Sequence, residues 1–130
     1  MTMLQQDTRG EPAALHGMIA SDRVEGTPVR RPNGHKVGEI KRVMIDKISG
    51  NVAYAVLSFG GFLGLGERFH PLPWSALKYN PTLSAYELDI TDEQLREAPS
   101  YGDRDEFDWG DRRRETALHD YYKAPPYWGI

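Results

Sequence analysis

Cysteine is absent from all 130 residues. That removes disulfides, thiolate zinc sites and a cysteine nucleophile from consideration. It also suits a reducing compartment, and a cytoplasmic location is the expectation. A basic surplus is missing too. Sixteen Lys and Arg stand against 19 Asp and Glu, a net charge of -3, whereas a general nucleic-acid binder needs a basic face. Nor is there an apolar run of membrane-spanning length. Residues 52–66 fall short of the roughly 20 a spanning helix needs, and their four glycines would weaken any helix. Residues 1–17 have no basic start followed by an apolar run, so they read as a flexible leader and not a signal peptide.

Recognisable reaction chemistry is equally scarce. The stretch Gly60-Gly61-Phe62-Leu63-Gly64-Leu65-Gly66 lacks the Lys-Ser/Thr of a phosphate loop and the G-x-G-x-x-G order of a dinucleotide site. The residue that follows, Glu67, would repel a phosphate. Ser58 and Ser75 stand outside any G-x-S-x-G context. The four histidines, His16, His35, His70 and His119, are scattered without a ligand spacing. No catalytic, cofactor or metal residue is assigned, and the chain is expected not to be an enzyme.

What is present is a succession of short β signals. Residues 27–30 make a strand, and Asn33-Gly34 a turn that tolerates positive φ. Residues 36–48 follow, with Val37, Ile40, Val43, Ile45 and Ile48 as the apolar set. Their spacing slips from three to two, which predicts a bulge near Lys41-Arg42. After a turn at Ser49-Gly50-Asn51, residues 52–59 form an almost wholly apolar strand. Residues 67–72 fit another strand, and Pro71, which cannot donate to a ladder, puts it at an edge or makes it leave the sheet there. Lys78-Tyr79 and residues 85–90 flank a further hairpin, with Tyr86, Leu88 and Ile90 on one face. Thr91 and Gln94 then spell a capping box, Ile90 and Leu95 a hydrophobic staple, and Pro99 a stop. Five or six short strands with tight turns and one terminal helix describe a small β-barrel.

Two segments are left in excess. Strand 52–59 is apolar on both faces, with Val52, Tyr54 and Val56 on one and Ala53, Ala55, Leu57 and Phe59 on the other. A barrel strand buries its inner face, so something must cover the outside. A second copy of the chain is the simplest cover, and the C-terminal segment is its rival. Phe62, Leu63 and Leu65 either cap the barrel's own end or stand out as a docking patch. Residues 102–115 are dense in charges of both signs. Asp111 is placed to cap a helix running to about Tyr122, whose Leu118, Tyr121 and Tyr122 form an aromatic face. Tyr127 and Trp128 make the ending too aromatic for an idle tail. It should dock on its own barrel, on a partner subunit or on another protein.

Three motifs taken together resemble the PRC-barrel family. They are Val29…Gly34-His35-Lys36-Val37-Gly38-Glu39-Ile40…Asp46…Gly50-Asn51-Val52-Ala53-Tyr54-Ala55-Val56, then residues 58–66, and finally Pro73-Trp74-Ser75-Ala76-Leu77. The resemblance covers about residues 18–98. It implies a mainly β fold, a six-stranded antiparallel barrel, to which the residues themselves add a short helix after the last strand and a C-terminal helix and tail. The organisation expected is a leader at 1–17, the barrel at 18–98, and a charged, aromatic extension at 99–130 with a helix near 111–122.

The family includes the cytoplasmic domain of the photosynthetic reaction-centre H subunit, and a related barrel in RimM-type ribosome maturation factors. In both it is a platform for macromolecules and carries no catalytic signature. No spanning helix precedes the matching residues here, and no N-terminal domain of the maturation factors, so a stand-alone bacterial barrel is the nearest likeness. The implied function is a self-associating scaffold that binds another macromolecule. The alternatives are a ribosome- or RNA-associated factor and an accessory of a membrane electron-transfer complex. The expected partners are a second copy and an unidentified protein, with nucleic acid reached only through a ribosomal partner. The expected interaction surface comprises Tyr54, Leu57, Phe59, Phe62, Leu63, Leu65, Tyr121, Tyr122, Tyr127 and Trp128.

Overall fold

The computed structural model describes residues 17–60, 67–102 and 105–128. One helical turn, α1 (Ser21–Val24), leads into β1 (Pro28–Arg30), β2 (Lys36–Ile45), β3 (Val52–Phe59) and β4 (Arg68–Pro73). A 3-10 turn at Trp74–Ala76 joins β4 to β5 (Lys78–Asn80) and β6 (Ala85–Glu87). Helix α2 (Asp92–Glu97), β7 (Tyr101–Gly102) and helix α3 (Arg112–Tyr122) complete the chain. The strands pair in the order β5-β6-β1-β2-β3-β4-β7.

This corrects the expected six antiparallel strands in two ways. Tyr101 and Gly102 pair with Phe69 and Arg68, adding a seventh strand. And β1 runs parallel to β6. The cause lies between β4 and β5. Each of β1 to β4 reverses on the one before, but the 3-10 turn bends the chain without reversing it. After the β5–β6 hairpin, β6 therefore points the same way as β1. Among the described residues no pairing joins β5 to β7, so the ladder is open.

Local chemistry explains the elements. Gly34 and Gly50 adopt positive φ in the two turns that flank β2, as glycine does without steric cost. The β2–β3 register shifts between Ile40 and Arg42, where the hydrophobic spacing slips. Gly38 of β2 has no room for a side chain, since a Cβ there would run into the Ser58 carbonyl oxygen and Leu57 of β3. Pro71 and Pro73 pair with Val56 and Tyr54 of β3 and sit in the part of β4 that β7 does not reach, so on that open side no strand is left without a donor. Thr91 Oγ1 accepts from the Gln94 N–H, and the Gln94 side chain accepts from the Thr91 N–H.

Side chains from β1, β2, β3, β4, β6 and α2 converge on one apolar cluster. Val29, Ile40, Leu57, Leu72, Tyr86 and Leu95 lie at its heart. A second, smaller cluster joins Ala53 and Tyr54 of β3 to Phe107 and to Leu118 of α3.

Candidate interaction surface

The second cluster settles what covers β3. Helix α3 starts because the Asp111 carboxylate accepts from the Arg113 N–H. It ends where Lys123 turns left-handed and its N–H bonds back to the Asp120 and His119 carbonyls. On its inner face, one turn apart, lie Glu115 and His119, with Leu118 between them and no surface exposed. The Tyr54 hydroxyl donates to Glu115 Oε1 at 2.8 Å and stands 2.9 Å from His119 Nε2. Having given its proton to the carboxylate, that oxygen is left to accept from the imidazole N–H. All three side chains are buried. Burial, reinforced by the Glu115 carboxylate, pushes the Tyr54 hydroxyl far above its ordinary range, and burial lowers His119.

Past Lys123 the chain folds back along α3. The Trp128 ring meets His119 edge-on, centroids 5.1 Å apart. The Arg112 guanidinium lies 3.8 Å above the Trp128 ring and 5.8 Å from that of Tyr127. Tyr127 and Trp109 both pack on Tyr54, at 5.6 and 5.1 Å. The extension therefore docks on its own barrel.

Beside it stands the turn between β2 and β3. The Asp46 carboxylate accepts from the Ser49 N–H, and the Asp46 and Gly50 N–H groups bond to the Asn51 and Asp46 carbonyls. Hydrogen bonds from Ser49 hold Asp46 below the usual carboxylate range. The turn pushes Ile48 into solvent at 96 % exposure, with Ile45 at 53 %. Between turn and extension lie two adjoining hollows. One, of about 330 Å³, is lined by Ile45, Asp46, Tyr54, Trp109, Glu115 and Tyr127 among others. The other, of about 280 Å³, is lined by residues including Ile48, Arg112, Tyr127 and Trp128.

The residues expected to form an outward surface are thus divided. Tyr54 lies under α3 at 2 % exposure, and Leu57 sits in the barrel core with none. Neither is open to a second copy, because the chain's own extension and core enclose them. Phe59 is half-buried, with His70 edge-on to its ring. Phe62, Leu63 and Leu65 lie outside the described residues. Tyr121 is at the surface, its hydroxyl donating to the Gln94 carbonyl. Tyr122 is half-buried between the two clusters, where burial raises its hydroxyl. Tyr127 and Trp128 remain partly open.

Sequence reasoning missed Ile45, Ile48 and the Glu115–His119 pair as parts of this surface. A Glu and a His four residues apart on the Leu118 face were a usable signal. Three further acidic groups each have a partner of their own: Glu39 pairs with Lys36, Asp46 accepts from the Ser49 N–H, and Glu67 accepts from the Ser58 hydroxyl. Among the described residues no group of three or more His, Asp or Glu could hold a metal, and no helix is long and apolar enough to cross a membrane.

The sequence profile of the PRC-barrel domain matches residues 16–95, which hold β1 to β6 and most of α2. The chain belongs to the PRC-barrel domain family. No curated protein matches it. PRC barrels are protein-interaction modules and are generally non-catalytic. The outer face of β3 in this PRC barrel is overlaid by residues beyond the matched segment, Phe107 and Leu118.

Proposed function

We propose that this chain is a non-enzymatic, cytoplasmic interaction module that binds another macromolecule through Ile45, Ile48 and Tyr127. In this reading residues 18–98 are the platform and residues 99–130 complete the binding face in cis. One observation carries it: Ile48, Ile45 and Tyr127, large apolar side chains 96, 53 and 40 % exposed, all line one hollow, and Ile48 and Tyr127 line its neighbour as well. Solitary exposed apolar residues are commonplace, but grouped ones beside concave surface mark a contact face.

Self-association belongs to the reading as its second part. With Tyr54 and Leu57 enclosed, the two-fold dimer of this reading buries Ile45 and Ile48, the closed arrangement that hides one such patch on both copies.

The test is an Ile45→Asp, Ile48→Asp double variant, compared with wild type by affinity capture from native cells and by sedimentation. Both side chains point to solvent, so the fold is retained, as circular dichroism would check. The expected result is loss of the wild-type partner. Capture unchanged in the variant refutes the reading. A wild type that sediments as a monomer at high micromolar concentration removes self-association and leaves partner binding in place.

A further inference from the structure

We propose that the larger hollow is a cation cage that receives one lysine or arginine side chain from the partner protein. The inference rests on the interaction reading above and adds the chemistry that is recognised. Trp109 and the exposed Tyr127 line the hollow together with Tyr54, which is itself only 2 % exposed beneath them. Tyr54 is the shared neighbour, 5.1 Å from Trp109 and 5.6 Å from Tyr127, the latter nearly perpendicular at 87°. Ring faces carry negative electrostatic potential, and a ring of them attracts an ammonium or guanidinium group.

Two carboxyl groups reinforce that sign. Asp46 stands on the turn side of the lining and Glu115 on the helix side. Glu115 is only 4 % exposed. The Tyr54 hydroxyl donates to it, and no ion pair to it occurs among the described residues. A buried carboxylate compensated by a neutral donor gains most from an incoming positive charge.

The adjoining hollow shows the same walls already at work. Tyr127 lines both, and on the second side it and Trp128 hold the guanidinium of Arg112. The chain thus supplies its own cation to one hollow. In the other, the cationic residue on the lining is Lys47, which is exposed on the turn.

The size and the rim favour a side chain of a protein. About 330 Å³ is at the small end of ligand pockets, which run to about 1,000 Å³, and it accommodates a single long side chain. Ile45 and Ile48 then offer apolar surface to the residues on either side of it. A free ammonium ion would leave them bare.

The experiment is a titration of the full chain, followed by the Trp109 indole N–H signal in heteronuclear NMR. The probes are the Nα-acetyl methylamides of lysine, arginine and norleucine, and choline. Saturable shifts with the lysine or arginine probe are expected, and at most weak ones with neutral norleucine. Tyr127→Ala and Glu115→Gln should each weaken the cationic probe by about fivefold or more, the equivalent of one cation–π contact. Lys47→Ala should leave it unchanged or tighter.

Equal shifts with norleucine, no saturation with either cationic probe, or full binding in folded Tyr127→Ala overturns the proposal. So does saturation by choline alone, which would make this a small-molecule site. A partner that survives Tyr127→Ala but is lost with the Ile45→Asp, Ile48→Asp variant removes the cage and leaves the interaction reading standing on Ile45 and Ile48 alone.

Discussion

Tyr54→Phe removes a single oxygen, the one that links β3 to both Glu115 and His119 at 2.8 and 2.9 Å. A hydrogen bond to a charged group contributes about 1.5–3 kcal/mol, and a second, neutral one adds about 1. With Tyr54, Glu115 and His119 at 2, 4 and 3 % exposure, water replaces little of what is lost. The variant should therefore lose about 3 kcal/mol, a large share of the roughly 5–15 that a domain of this kind possesses. For a chain of this length that is a fall of about 10 °C in melting temperature.

Urea denaturation followed by tryptophan fluorescence gives the first number. Hydrogen exchange locates it, because amides of α3 should lose protection more than those of β2. Pairing Tyr54→Phe with Glu115→Leu takes away donor and acceptor together, so the double variant should be less destabilised than the two singles summed. A Tyr54→Phe protein within about 0.5 kcal/mol of wild type would refute the reasoning, since the hydroxyl would then be tying nothing down.

Three other outcomes are expected. Thr91→Ala abolishes the capping box and should cost about 1 kcal/mol, read as a lower urea midpoint at unchanged slope. Gly38→Ala forces a methyl group against the Ser58 carbonyl, so β2 and β3 must part. A loss of about 2 kcal/mol by the same assay is expected, and neutrality would mean that the strands are not so closely apposed. Burial, helped by nearby Arg68, holds His70 at about 4 and also lowers His119, whereas unfolded histidine titrates near about 6.5. Between those values the unfolded chain takes up protons that the folded one refuses. Stability should thus be level above about pH 6.5 and decline toward 4, less steeply in His70→Leu, with His119 supplying the remainder; coincident profiles would refute this.

What could be read directly from the chain was governed by near neighbours. The capping partners Thr91 and Gln94 are three residues apart, Asp111 adjoins the helix it caps, and the bulge at Lys41 shows as a slip in spacing. Ile48 misleads because it continues the apolar series of β2. The Asp46 carboxylate takes the Ser49 N–H, ends the strand at Ile45 and turns Ile48 outward. Strand direction after Trp74 was hidden as well, because a bend and a reversal have the same composition.

The cover of β3 differs in kind. Two apolar faces on one strand demand a cover without naming it, and the bonds that name it span 61 and 65 residues. The charged face of α3 also disguised it, since Glu115 and His119 read as solvent-facing until Tyr54 is placed opposite them. A second copy and the chain's own extension would have been chemically equivalent shields. Tethering separates them. A segment joined by a short linker acts at an effective concentration on the order of millimolar, above that of most free subunits. Leu118 and Phe107 therefore reach Tyr54 first. What the extension leaves bare beside it includes the turn bearing Ile45 and Ile48.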